Sequence, residues 1–290
     1  RPMVSIVIPV KNEGVHILNT VNSILQSPNA TPYEIIVIDD HSDDGCCEPL
    51  KPYAAAGQLT LHRTNGLGLA RAKNLGAELA LGDILLFCDG HLIVPPYWVD
   101  RISAPLRDGV LDGVTPGIAP HDAPGQAGYG QTWNEKLQVQ WLSRPAELSP
   151  VPFLPGGCMA IRASVFHQVQ GFDSGFRVWG YEDQEISLNL WLQGYTLGVN
   201  PEVTILHVFR QQFPYPVRNE HVNYNLLRMA YTHFNYARIQ KVIKLIGENH
   251  YPQELIQQVQ AGRSGERRNH FLASRIYNDD WFMERFGIPF

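Results

Sequence analysis

Asp89-Gly90-His91 follows directly on the apolar run Ile84-Leu85-Leu86-Phe87-Cys88. A buried strand that ends in a carboxylate, a small residue and an imidazole aims two metal-ligand side chains at the carboxyl edge of a sheet, where open α/β sheets bind ligands. Asp89 and His91 stand two apart, so in extended chain both face one way, and Gly90 lets backbone or ligand come close. By itself the pair is equally a loop carboxylate and a surface histidine. His207, which ends a second short strand, Val203-Thr204-Ile205-Leu206, makes a third ligand on the same expected edge. Mixed oxygen and nitrogen donors suit Mn²⁺, with Mg²⁺ as the alternative, better than Ca²⁺, which prefers oxygen alone. Three ligands from two strand ends leave positions open for diphosphate oxygens.

Other residues could serve the same chemistry. Asp39-Asp40 ends the run Glu34-Ile35-Ile36-Val37-Ile38; a carboxylate there either accepts from a ribose hydroxyl or a uracil N3–H, or opens the loop as an Asx turn. Arg71 lies one turn into the helix after Gly68, close to where a phosphate sits at a helix N-terminus. Arg210, three residues past His207, adds a second positive charge for the same phosphates or makes an exposed salt bridge. Glu182-Asp183 opens a helix after Phe176-Arg177-Val178-Trp179-Gly180-Tyr181. Paired carboxylates there either complement the helix dipole or include a general base for an acceptor hydroxyl. Gly156-Gly157 lets backbone approach a sugar, and Trp179 offers a face for stacking.

The elements that must position these residues read as alternating strand and helix. Val4 to Val10 is a β-branched run, helical spacing covers about Val15 to Leu25, and Glu34 to Ile38 is a second apolar strand, which together make a βαβ unit with a parallel sheet. Leu59 to His62 is a short strand, a helix opens after Asn65-Gly66-Leu67-Gly68, and Gly82-Asp83 leads into the strand before Asp89. From Val94 to Pro155 proline and glycine become frequent, which predicts irregular chain that shapes a cleft rather than core strands. A strand is expected at Gly157 to Arg162, a helix at Glu182 to Gln193, and one or two helices from Asn219 to Ile246. The expected organisation is a Rossmann-like nucleotide-binding half over 1–115, an acceptor and catalytic half over 116–217 and a helical extension over 218–290.

With 290 residues, 44% of them hydrophobic, and a formal net charge of -5, the chain can bury a full core and has no basic field of the kind nucleic acid requires. Arg263, Arg267 and Arg268 read as a solvated helix face. The four cysteines, Cys46, Cys47, Cys88 and Cys158, match neither a disulfide framework nor a zinc ribbon. Free buried thiols and a reducing, cytoplasmic setting are expected. No run approaches the roughly 18 apolar residues that span a bilayer. The aromatic cluster Tyr277, Trp281, Phe282, Phe286 and Phe290 is expected to fold back onto the core rather than form an interface.

Several separated motifs, in order, resemble glycosyltransferases of the GT-A fold. Ser5 to Glu13 is similar to the opening strand and loop of the family 2 enzymes, and Val37-Ile38-Asp39-Asp40-His41-Ser42 to their second. Asp89-Gly90-His91, Trp179-Gly180-Tyr181-Glu182 with Glu185-Ile186-Ser187, and His207-Val208-Phe209-Arg210 with Pro214-Tyr215 resemble the catalytic domain of polypeptide N-acetylgalactosaminyltransferases. The resemblance implies Mn²⁺ on Asp89, His91 and His207. It implies a UDP-sugar donor held by Pro9, Val10, Asn12, Glu13, Asp39 or Asp40, Arg71, Gly90 and Arg210. Gly156, Gly157, Trp179 and Glu182 would line the sugar and acceptor cleft, and Gln211 to Val222 would be a loop that closes over the donor. Those retaining enzymes carry asparagine where this chain has Asp183, whereas inverting family 2 enzymes place a catalytic aspartate in a Glu-Asp pair; Asp183 as base implies inversion. No repeated lectin pattern follows the loop, so a glycan, a peptide or a small-molecule hydroxyl remains open as acceptor. A retaining transferase, a sugar-nucleotide hydrolase and a non-catalytic binding module are the competing readings.

Overall fold

Alternation along Val4–Val10 sets the layering: Val4, Ile6, Ile8 and Val10 face one side of the sheet and Val7 the other, and all are buried. The protein is described here by a computed structural model covering residues 1–247 and 252–290. Its strands are β1 (Val4–Val10), β2 (Tyr33–Asp39), β3 (Thr60–Arg63), β4 (Ile84–Cys88), β5 (Leu92–Ile93), β6 (Gly113–Pro120), β7 (Gln131–Trp133), β8 (Val139–Trp141), β9 (Ser149–Pro150), β10 (Cys158–Arg162) and β11 (Leu197–His207). The helices are α1 (His16–Gln26), α2 (Lys51–Ala55), α3 (Leu69–Leu79), α4 (Trp98–Arg107), α5 (Ala163–Gln168), α6 (Glu182–Leu192), α7 (Asn219–His233), α8 (Tyr236–Gly247), α9 (Pro252–Ala261), α10 (Ser264–Ser274) and α11 (Asp279–Phe286).

Nine strands form one sheet in the order β3-β2-β1-β4-β10-β6-β11-β5, with β9 paired to β11 off that path. The β3-β2-β1-β4 portion is parallel, and β10 joins it antiparallel to the parallel β6–β11 pair. This is the mixed, mostly parallel α/β sheet the sequence predicts. On one face Ile17, Val21 and Ile24 of α1 pack with Trp98, Val99, Ile102 and Leu106 of α4. On the other, Phe87 and Met159 meet Phe166, Ile186 and Leu188, and the same core runs on through Leu226, Met229 and Phe282. The helices after residue 218 therefore share the core of residues 116–217, and Phe282 and Phe290 are buried, as expected of a tail folded onto it.

Two expectations need correction. The Val94–Pro155 stretch is not mainly irregular: it holds α4 and the core strand β6, whose register with β11 shifts between Asn200 and Thr204. The spacing Trp98, Val99, Ile102, Leu106 carried the helical signal, and Pro105 was tolerated late in the helix rather than breaking it. Nor do Arg263, Arg267 and Arg268 form a solvated face. The Arg267 side chain is only 10% exposed, donating to Glu185 at 2.8 Å and lying 3.3 Å from Asp173, while Arg268 donates to the carbonyls of Tyr231 and Phe234. Ser264, Arg267 and Phe271 follow helical spacing, so the arginine lies on the buried face of α10.

Glu185 is fully buried, and His233 Nε2 stands 2.7 Å from its Oε1. Burial would raise its carboxyl; Arg267 first, then His233, overrides this and holds it down at about 2. Its folded value lies below the unfolded one near 4.5, so its contribution is full above that range and is lost as pH falls towards 2. Replacing Arg267 with methionine leaves Glu185 short of its main counter-charge and should cost about 3 kcal/mol in urea unfolding at pH 7. The penalty should shrink as pH falls below 4, and Arg263→Ala, at an exposed position, should change stability by less than about 0.5 kcal/mol.

Candidate active site

Three strand ends bring the metal-type ligands together. Asp89 follows β4, and its N–H donates to the Gly157 carbonyl at 3.0 Å. Beyond Gly90 the chain enters β5, which pairs antiparallel with the end of β11, His207 opposite Leu92. His91 thereby comes beside His207, and the Val208 N–H donates to the His91 carbonyl at 3.1 Å. Asp89 Oδ2 lies 2.8 Å from His207 Nε2 and 3.5 Å from His91 Nε2, and the two Nε2 atoms are 3.2 Å apart. Among the described residues this is the one group of three or more Asp, Glu, His or Cys side chains whose ligand atoms all lie within 4.8 Å of one another.

Glu13, in the loop after β1, sets the orientation of His91. Its buried carboxylate lies 3.0 Å from His91 Nδ1 and also takes Arg210. With Nδ1 donating to a carboxylate, loss of the second proton would leave the Nε2 lone pair pointing into the cluster, the usual arrangement behind a metal-bound imidazole. Glu13 thus stands behind the ligands, a supporting role the sequence reading did not separate from donor binding. The donor set and the supported tautomer both fit a divalent cation. Burial alone would raise the Asp89 carboxyl, but His207 and then His91 hold it well below the usual carboxylate range; burial would lower His91, and Asp89 followed by Glu13 lifts it to about 9.

Glycines let these groups close up. A Cβ on Gly90 would stand 3.1 Å from Glu13 Cγ, one on Gly157 3.1 Å from His207 Cδ2, and one on Gly156 3.2 Å from Asp183 Oδ2. The cluster opens on a cleft of about 800 Å³ lined by Pro9, Val10, Glu13, Asp40, Arg71 and Arg210 among others. An adjoining cavity of about 460 Å³ holds Gly156, Gly157, Glu182 and Asp183 and shares Asp89, Trp179 and His207 with the cleft.

The remaining candidates divide. Asp40 lines the cleft, but both its oxygens are engaged by the loop ahead of α3: Thr64 Oγ1 and the Leu67 N–H at 2.6 Å, and the Gly68 N–H at 2.9 Å. It shapes the turn that begins α3. Asp39 lies outside that cleft, paired with Arg63 at 2.8 Å and accepting from the Ser42 N–H, on the wall of a separate cavity with Cys46 and Cys47. Asn12 has a left-handed backbone (φ 56°) and donates from Nδ2 to the Pro214 carbonyl at 3.2 Å, joining the first loop to the 211–218 loop. All four cysteines are buried and free, as expected, including the adjacent Cys46 and Cys47.

Glu182 and Asp183 begin α6 at the bottom of the adjoining cavity. The Glu182 carboxylate accepts from the Gly180 N–H and that of Asp183 from the Gly156 N–H, both at 2.9 Å. Burial pushes Glu182 up to about 7, with Asp183 adding repulsion, and burial likewise raises Asp183. Sequence reading missed two residues here. Lys73 of α3 lines this cavity, and Asn225 of α7 donates to the carbonyls of Arg177, Trp179 and Gly180. The apolar spacing of Ala70, Lys73 and Ala77 put the lysine on the buried face, whereas nothing local marks Asn225.

A curled sheet of this topology with an Asp-His-His cluster at its carboxyl edge defines the chain as a GT-A-type α/β domain. The description "Glycosyl transferase family 2" matches residues 5–170, more than half of the chain, and the protein belongs to that family. "N-terminal domain of galactosyltransferase" matches residues 145–212. The chain is 31% identical over 256 residues to polypeptide N-acetylgalactosaminyltransferase 11 of Xenopus tropicalis, covering 79% of this chain and 42% of that protein. It is also 31% identical to polypeptide N-acetylgalactosaminyltransferase 10 of Homo sapiens, covering 74% and 39%. It thus spans about two fifths of the length of these relatives. Among solved structures, GalNAc-T7 with UDP, GalNAc and Mn²⁺ superposes with a TM-score of 0.78 at 22% identity, covering 99% of this chain and 58% of that one. A mannosyltransferase from Pyrobaculum calidifontis with GDP-Man and Mn²⁺ gives 0.54 at 14% identity, covering 94% and 74%.

If Glu13 orients His91 for a cation, Glu13→Ala should weaken Mn²⁺ binding roughly 10- to 100-fold in calorimetric titration. Removing a ligand outright, as in His207→Ala, should weaken it further. Equal affinity in the wild type and Glu13→Ala would remove Glu13 from that role.

Proposed function

We propose that the chain is the catalytic domain of a metal-dependent glycosyltransferase that moves a sugar from a UDP-sugar to an acceptor hydroxyl with inversion, Asp183 acting as the base. The observation that carries this reading is the adjacency of two cavities sharing Asp89, Trp179 and His207, one holding the Asp-His-His cluster and the other Glu182 and Asp183. The Mn²⁺ and UDP in the GalNAc-T7 structure support the choice of cation and nucleotide. The N-acetylgalactosaminyltransferase relatives support a sugar donor of that class and a peptide or glycan acceptor.

Asp89, His91 and His207 would hold Mn²⁺, which when bound supplies Lewis-acid neutralisation of a departing diphosphate. Arg71 and Arg210 line the same cleft and add positive charge for phosphate oxygens. Asp183 takes the acceptor hydroxyl proton as the oxygen attacks the anomeric carbon from the face opposite the leaving group. Its carboxylate is oriented by the Gly156 N–H, and burial strengthens it as a base. Trp179 lines both cavities, stands 4.7 Å from Phe213 between ring centroids, and would limit access of water to a bound donor.

The deciding experiment is the NMR anomeric coupling of the first-formed product. An inverted configuration, with Asp183→Asn lowering kcat by about 10²- to 10⁴-fold while donor binding persists, is the expected result. A retained configuration would overturn Asp183 as base, and turnover indifferent to every acceptor offered would point to a hydrolase.

A further inference from the structure

Among the charged residues of α3, Lys73 alone is buried, 1% exposed on the helix face of Ala70 and Ala77. An ammonium taken out of water is costly unless other groups compensate. Its Nζ stands 5.0 Å from the centroid of the Phe172 ring, whose face recovers part of that cost. No carboxylate of the described residues comes within the 4.0 Å of an ion pair. The side chain instead lines the cavity that holds Glu182 and Asp183. For both carboxyls burial is the largest influence and acts upward, and Lys73 is the strongest influence in the opposite direction.

We propose that Lys73 is a positioning residue whose charge, acting through space, favours the anionic form of the Asp183 carboxylate that serves as the base. The proposal rests on Asp183 as the base and deepens that assignment. The other groups around the pair do not replace the lysine. Asp89 and His207 stand across the Gly156-Gly157 backbone and are taken up with each other and with His91. Tyr215, from the 211–218 loop, and Tyr181, just ahead of α6, are phenols that burial pushes up, to about 12 for Tyr181, so both are neutral near pH 7. Glu185, on the same helix, is committed to Arg267 and His233. A through-space cation also suits the site: a direct salt bridge would occupy the oxygens a base must present to an acceptor, whereas a more distant charge leaves them free.

The test is carboxyl ¹³C NMR titration of Glu182 and Asp183 in the Mg²⁺-loaded chain, alongside the pH profile of kcat/KM with Mn²⁺. Removing the cation raises both carboxyls, and a base loses activity as pH falls through its pKa, so the acid limb should move to higher pH. In Lys73→Met the carboxyl midpoints and the acid limb should rise together by about one pH unit, equivalent to about tenfold in acidity. Activity should recover above the shifted limb, and Lys73→Arg should restore the wild-type profile. Lys73→Gln, checked by circular dichroism for native fold, serves if the methionine variant does not fold. Unmoved carboxyl midpoints, or a loss of activity equal at all pH values, would overturn the proposal. Full transfer by Asp183→Asn would overturn the base assignment alone, because the carboxyl titration reads the influence of Lys73 without depending on which group is the base.

Discussion

The site depends first on a buried carboxylate that is not itself one of the three converging ligands. Glu13 sits in the loop after the first strand, 7% exposed, and takes His91 on one side and Arg210 on the other. A carboxylate buried to that extent is stable only when positive or hydrogen-bonding partners surround it. Both partners come from chain far away in sequence, and each lies beside a strand end that supplies a metal-type ligand. The requirement to satisfy Glu13 therefore brings the β4–β5 turn and the end of β11 to the loop after β1. Gly90 is part of the same constraint, since a side chain there would press on the glutamate. Asn12, next in sequence, reaches Pro214 and extends the hold to the loop that lines the cleft.

A second constraint acts at the start of α6. Val178 and Tyr181 both adopt positive φ (46° and 63°), conformations that side chains disfavour. The side chain of Asn225 makes them tenable: it accepts from the Arg177 N–H at 2.7 Å and donates to three carbonyls of the same turn. Asn225 belongs to α7, and α7 is fixed to α6 and α10 by the Glu185–His233–Arg267 cluster. The C-terminal helices thus hold in place the turn that presents Trp179, Glu182 and Asp183. What looked in sequence like an appended helical extension packs into the same core as residues 116–217.

The parts of this arrangement that were legible in sequence were those written in local pattern. Asp89 and His91 follow an apolar strand and His207 ends another, so β-strand periodicity located all three. The Glu182-Asp183 helix start and the close-approach glycines 156 and 157 were equally local. The roles of Glu13, Asn225 and Arg267 were not, because each is defined by partners at least 45 residues away that only the fold supplies. Asp39 and Asp40 show the limit most plainly: two identical neighbours at the end of β2 line different cavities, and only Asp40 reaches the cleft. Alternation in a strand predicts that divergence but does not say which side holds the ligand. For Lys73 and Arg267 the signal was present as helical spacing, and the usual preference of Lys and Arg for solvent was the wrong guide.

Gly156 and Gly157 separate the two halves of the chemistry by a single layer of backbone. One lacks a side chain so that Asp183 can accept from its N–H, and the other so that His207 and Asp89 can close on the opposite side. Asp89 and His207 share the wall of one cavity with Glu182 and Asp183. The Asp-His-His cluster and the Glu182–Asp183 pair therefore meet across one layer of backbone. Glu182 and Asp183 are held by backbone N–H groups, and among the described residues neither makes a direct salt bridge. The sheet edge positions the Asp-His-His cluster, and the glycine pair lets the Glu182–Asp183 pair approach it.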